Sequence, residues 1–155
     1  MPLFGLPFRK KKRLLTLQEE ELVVNAIRDA EHHTSGEVRV YMESKCHFVD
    51  PLDRAREVFE HLKMFKTNER NAVLVYIALK DKQAAIFGDE SIHQRVNENF
   101  WNDAISRMLG YFKNEELVAG ICHTITTLGD TLSKEFPYDK ETDKNELPDT
   151  IVFGR

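Results

Sequence analysis

Cysteine is nearly absent: Cys46 and Cys122 are the only two in 155 residues, and they lie far from any CxxC spacing. That pattern excludes a disulfide framework and reads as two reduced structural thiols, which places the expected location in the cytoplasm. Long hydrophobic runs are missing too, and no window approaches a transmembrane span. Met1 to Phe8 is short, broken by Pro2, Gly5 and Pro7, and followed rather than preceded by positive charge, unlike the core of a secretory leader. Basic excess is likewise absent. With 22 basic and 26 acidic residues the net charge is -4, so no overall field draws nucleic acid to the chain. There is no internal repeat and no low-complexity domain.

What is present is one emphatic apolar stretch, Ala72 to Lys80 (AVLVYIALK), set between polar residues at both ends. Eight of its nine residues are apolar or aromatic and three are β-branched, so it reads as a central strand buried on both faces. Such a strand needs helices on both sides. Amphipathic helical patterns stand before and after it, and the predicted fold is a three-layer α/β sandwich, Rossmann-like, with a small mixed sheet. The length fits one domain with a core of its own. The expected organisation is an N-terminal tail over 1–15, a single α/β domain over 16–136, and an extended C-terminal tail over 137–155.

In order along the chain, the first tail mixes Phe4, Leu6 and Phe8 with the basic run Arg9 to Arg13. It is read as solvated, or as a weak contact with an anionic membrane surface through residues 3–13, where each basic residue adds about 1 kcal/mol. Thr16-Leu17-Gln18-Glu19 has the spacing of a capping box and starts a helix with an apolar stripe at Leu22, Val23, Ala26, Ile27 and Ala30. Glu20, Arg28 and Glu31 are expected to face water, and Gly36 to stop the helix. Glu37 to Glu43 alternates as a strand. Asp50 caps a second helix with Pro51 at its first position. Strand, helix, strand at this spacing predicts parallel strands with a right-handed crossover. Gln83 to Phe87 returns antiparallel. One long or two broken helices follow over 91–112, and Asn114 is expected to cap the last helix.

This topology puts the start of the first strand, the start of the second and the end of the third at one edge of the sheet. Three polar clusters therefore meet there: Thr34 to Glu37, Thr67 to Asn71, and Gly88 to Glu90. Glu37 and Asp89 are hard oxygen ligands of the kind that Ca²⁺ or Mg²⁺ takes, and Arg70 offers a planar fork for phosphate or carboxylate. Gly36 and the hydroxyl residues Ser35 and Thr67 allow close approach to the backbone, with Asn71 beside them. Metal polarising a phosphoryl oxygen, with Arg70 taking up developing charge, would make a phosphoester site. The alternative is turn chemistry alone, with Arg70 pairing with Glu37 or Asp89.

The segments TSGEVRV, TNERNAVLVYIAL, AAIFGDESI, NFW and NELPDTIVFG together resemble the TPM domain family, over residues 16 to 155. That family includes thylakoid-lumen proteins linked to photosystem II repair, a receptor-modulating membrane protein and many bacterial proteins. The resemblance implies a Rossmann-like sandwich, the acid phosphatase activity of a plant member and the divalent-metal binding of some members. The matching positions are Ser35, Gly36, Glu37, Thr67, Arg70, Asn71, Gly88 and Asp89. Ala72 and Ser91 stand where many relatives have glycine, which narrows the site. Many relatives also carry a signal peptide and a C-terminal membrane helix; neither is expected of this sequence, which suggests a soluble cytoplasmic branch.

His32-His33 ends the first helix near this edge, but adjacent residues diverge, so at most one points in. His47, His61, His93 and His123 have no metal spacing. Cys46 lacks a partner that would mark a nucleophile. The expected function is a divalent-metal-binding or regulatory interaction module, a monomer whose partner is a protein or a phosphorylated small molecule. The alternative is a metal-assisted acid phosphatase using Asp89, Arg70 and Glu37.

Overall fold

The central run is buried without exception: every residue of Ala72–Ala78 is covered, because alternate side chains feed two different cores. A computed structural model describes residues 14–139 and 147–154. Its sheet has the order β3-β2-β1-β4, with β1 Glu37–Glu43, β2 Ala72–Ala78, β3 Gln83–Gly88 and β4 Val152–Phe153. β1 runs parallel to β2, with Glu37 opposite Ala72, and β2 runs antiparallel to β3, with Val73 opposite Gly88. β4 lies parallel to β1, Tyr41 facing Val152. The helices are α1 Leu17–Glu31, α2 Pro51–His61, α3 Glu90–Arg95, α4 Glu98–Lys113 and α5 Leu117–Glu135.

Val73, Val75 and Ile77 pack with Val38, Val40 and Met42 of β1 against α1, α4 and α5. Ala72, Leu74 and Tyr76 pack on the other face against Ala55, Val58 and Phe59 of α2. This two-sided demand is the reason for a continuous apolar strand rather than an alternating one. The three-layer sandwich follows.

Local signals place the helices. The capping box at α1 is complete: Glu19 donates its backbone N–H to Thr16 Oγ1 at 3.1 Å, and Thr16 N–H donates to the Glu19 carboxylate at 2.8 Å. Asp50 accepts from Leu52 N–H at 2.9 Å and Pro51 opens α2. The 91–112 region is two helices, the second capped by Asn97.

Three local expectations differ. Asn114 does not cap α5; it closes α4, donating its N–H back to Tyr111 at 3.1 Å, and α5 begins behind Glu116 with no side-chain cap. α1 stops at Glu31, before Gly36, where the His32 N–H still donates to Arg28. The central strand ends at Ala78, because Leu79 to Lys82 form the turn, with Lys82 in the left-handed region at φ 50°. Residues 1–13, with the basic run and the membrane-contact expectation on 3–13, lie outside the described residues, as do 140–146 of the C-terminal segment.

At the edge of the sheet where β1 and β2 end, Glu43 is buried and accepts from Arg54 Nε at 2.9 Å, Arg54 Nη2 at 3.0 Å and the Tyr76 hydroxyl. Among the described residues no helix is long and apolar enough to cross a membrane.

Candidate functional site

The opposite edge, where β1 and β2 begin and β3 ends, is built by three loops that lock to one another through backbone. The Thr34 hydroxyl donates to the Leu132 carbonyl at 3.1 Å and bonds the Phe136 carbonyl, and its oxygen accepts Gly36 N–H at 3.0 Å. That pins the first loop to the end of α5. A Cβ at Gly36 would sit 3.3 Å from the Asn71 carbonyl oxygen, so glycine here admits the second loop. In that loop Thr67 Oγ1 accepts Asn71 N–H at 3.3 Å, and Arg70 takes the left-handed conformation at φ 52°. The third loop joins through Asp89 N–H to Ala72 O at 2.9 Å and Ser91 N–H to Arg70 O at 3.2 Å.

The side chains sort into three groups. Arg70 grips Asp89 with both prongs, Nε to Oδ2 and Nη2 to Oδ1, each at 2.7 Å. The pair raises the pKa of Arg70, chiefly through the hydrogen bonds to Asp89. Asp89 Oδ1 also accepts Glu90 N–H at 2.8 Å, so one carboxylate serves the ion pair and the start of α3. A second group joins Ser35, Asn71 and Glu69: Ser35 Oγ donates to Glu69 Oε2 at 2.5 Å, and Asn71 Nδ2 donates to Ser35 Oγ and Glu69 Oε2, each at 3.2 Å. This leaves Asn71 Oδ1, fully buried, without a hydrogen-bond donor among the described residues.

Glu37 forms the third group, with Glu31 and Asp149. It is 2 % exposed; its N–H donates to the Asn71 carbonyl at 3.4 Å, and its side chain is hydrogen-bonded to Glu31. Burial, with the bond to Asp149 and the charge of Glu37, pushes the Glu31 carboxyl up to about 11. Glu31 also accepts Val38 N–H at 2.8 Å. Arg28 lies 3.6 Å from Asp149.

The edge thus brings Arg70 to Asp89 and Ser35 to Asn71, with Thr67 and Gly36 shaping the loops, and directs Glu37 to an internal carboxyl cluster. Three participants escaped the sequence reading, among them Asp149, which lies in the stretch expected to be an extended tail. Glu69 stood in the Thr67 to Asn71 cluster but carried no distinguishing pattern. Glu31, assigned to the water-facing stripe of α1, is drawn inward; an acid in the last turn of a helix opposes the helix dipole, and that was the available sign. His32 and His33 are both exposed.

As to a cation, among the described residues no three His, Cys, Asp or Glu side chains converge to hold one. Asn71 Oδ1 is an oxygen without a donor among the described residues, and the Ser35 hydroxyl and Glu69 carboxylate stand on the nitrogen side of the same amide.

The sequence pattern of the TPM domain matches residues 9–131. The chain is 41% identical to the BA42 protein of the psychrophilic bacterium Bizionia argentinensis, whose NMR structure superposes with a TM-score of 0.85 over 94% of this chain and 99% of that one. The solution structure of the N-terminal domain of cg2496 from Corynebacterium glutamicum has the same fold at 12% identity, with a TM-score of 0.60 over 90% of this chain and 80% of that domain. No curated protein matches the chain significantly.

Proposed function

Because the chain belongs to the TPM domain family, we propose that it is a binding module whose polar edge takes a divalent cation, Ca²⁺ or Mg²⁺, and through it a protein or phosphorylated partner. The observation that carries this reading is Asn71 Oδ1. It is a hard oxygen held out of water, its own amide nitrogen committed to Ser35 and Glu69, with no donor on the oxygen among the described residues. A buried acceptor left so costs about 1–3 kcal/mol, and a cation would relieve it. Glu69 and Ser35 lie on the nitrogen side of this amide and bring one full negative charge to the same edge, so only weak affinity, in the range of about 10⁻⁴ to 10⁻³ M, is expected.

Calcium titration followed by amide NMR tests this. Saturable shifts centred on residues 34–37 and 67–71, lost in Asn71→Ala, are the expected result. Shifts centred elsewhere, or none at millimolar calcium, reject the site.

A second reading, phosphomonoester hydrolysis, has one supporting observation. The Arg70 side chain is 40% exposed at the edge; Asp89 holds Nε and Nη2 and Glu90 lies 3.5 Å from Nη1, so a phosphate would compete with Glu90 for the exposed side of the guanidinium. A bound cation would supply charge neutralisation to the phosphoryl group, while Arg70 would orient it. Hydrolysis of p-nitrophenyl phosphate that Arg70→Lys and Asp89→Asn both abolish would support this reading; hydrolysis indifferent to both removes it.

A further inference from the structure

The outer edge of β3 is a second place where the fold leaves chemistry open, well away from the cluster at Glu37 and Glu31. Among the described residues no strand pairs with it. The bond from Asp89 N–H to Ala72 O, with the register Val73 to Gly88 and Val75 to Ile86, assigns the backbone directions. In an antiparallel ladder hydrogen-bonded and non-bonded pairs alternate, so Phe87 and Ala85 bond to β2 while Ala84 and Ile86 present N–H and C=O outward. Walls rise on both sides of this edge. α2 supplies one, from Leu52, and α4 the other, from Trp101, and together with β3 they enclose a groove of about 550 Å³. Helices on both flanks leave room for a single strand rather than for another sheet edge with helices of its own.

Trp101 gives the groove an independent polar signal. It is 8 % exposed, and its indole N–H has no acceptor among the described residues. A buried indole N–H ordinarily finds a partner. The charge on the walls also has a sign. The carboxylates of Asp50 and Glu98 stand against one guanidinium, Arg56, which already lies over the Phe87 ring at 5.7 Å; the His93 ring packs edge-on against that same ring at 5.9 Å.

We propose that the β3 edge is a docking site for an extended peptide strand of a partner protein, apolar at alternate positions and carrying lysine or arginine beside them. Main-chain bonds to Ala84 and Ile86 supply affinity, a peptide carbonyl accepts from Trp101, apolar side chains enter between Leu52 and Trp101, and the basic residue answers Glu98 and Asp50. This inference does not depend on the cation reading of the other edge.

The test uses the full ¹⁵N-labelled chain and an end-blocked peptide, Lys-Val-Thr-Val-Thr-Val-Lys. Saturable shifts of the Ala84 and Ile86 amides and of the Trp101 indole N–H, with slowed exchange at those amides, are expected. A copy of the peptide N-methylated at alternate residues should be silent. Trp101→Phe should weaken binding about fivefold, the effect of one hydrogen bond. Glu98→Lys, an exposed change that costs at most about 1 kcal/mol at the first turn of α4, should weaken the lysine-flanked peptide and favour a glutamate-flanked one. Shifts centred elsewhere, no shifts at millimolar peptide, or binding that neither substitution alters would overturn the proposal. So would Ala84 and Ile86 amides already slow to exchange in the chain alone, since another copy or the chain's own terminal segment would then occupy the edge.

Discussion

Arg70 and Asp89 face each other fork to fork, with both contacts at 2.7 Å, and the same Asp89 oxygen that meets Nη2 also accepts the first N–H of α3. One carboxylate therefore ties the loop before β2 to the helix after β3. The Arg70 backbone stands at φ 52°, so the loop holds a conformation that L residues seldom take in order to aim this side chain.

Replacing the carboxylate separates its two duties. Asp89→Asn retains a capping oxygen but turns an amide N–H toward Arg70 Nε, and should cost about 1 kcal/mol, whereas Asp89→Ala loses both the cap and the ion pair and should cost about 2–3 kcal/mol. Urea unfolding of both variants checks this.

Glu31 makes stability depend on pH in an unusual direction. Its folded value is raised from 4.5 to about 11, so between those values the folded chain keeps a proton that the unfolded chain has lost. Stability from this group is full below 4.5 and declines as pH rises through the interval. Glu31→Gln, which cannot lose that proton and still accepts from Val38, should flatten the decline; thermal melts from pH 5 to 10 will tell.

The Glu43 cluster works with the opposite sign. Burial pushes Glu43 up, but hydrogen bonds from Arg54 and Tyr76 outweigh it and hold the group below its ordinary range. Its contribution is present above the unfolded value and fades as pH falls through the folded one. Removing Arg54 strands a buried carboxylate, so Arg54→Met should cost about 3 kcal/mol, and Tyr76→Phe about 1 kcal/mol. Denaturant midpoints at pH 7 and pH 4 should show the Arg54 penalty shrinking in acid.

Two helix glycines should respond oppositely to alanine. A Cβ on Gly129 would come 2.7 Å from the Ala30 Cβ and 3.1 Å from its Cα, where α5 crosses α1. Overpacking there outweighs the gain in helix propensity, and Gly129→Ala should destabilise by about 1–2 kcal/mol. Gly110 has nothing within 4 Å of the added carbon, so Gly110→Ala should stabilise by about 0.5–1 kcal/mol. Melting temperatures of the pair give the comparison.

Much of the fold could be read in advance because its signals are local. Thr16 with Glu19, Asp50 with Pro51, and the alternation from Glu37 to Glu43 each act within a few residues. The central run was legible because its neighbours on both faces demand apolar side chains. The meeting of three loops followed from strand direction alone. What could not be read was each carboxylate's partner. Asp89 and Glu37 look alike in sequence, yet one meets Arg70 and the other meets Glu31, a choice made by packing between α1, β1 and the C-terminal segment. Asn114 misled for a related reason: a good capping residue served the helix behind it rather than the one ahead.

The short pairing of β4 with β1 joins Tyr41 to Val152 across more than a hundred residues of chain, for only two register positions. Because Pro137 is already bridged to Thr34 beside β1, the loop left to close is only the span from 137 to 152, yet a ladder of two positions offsets little of its entropy. This strand should be the first part of the sheet to open under native conditions and the last to close in refolding, leaving β1 with a bare flank whenever it lifts.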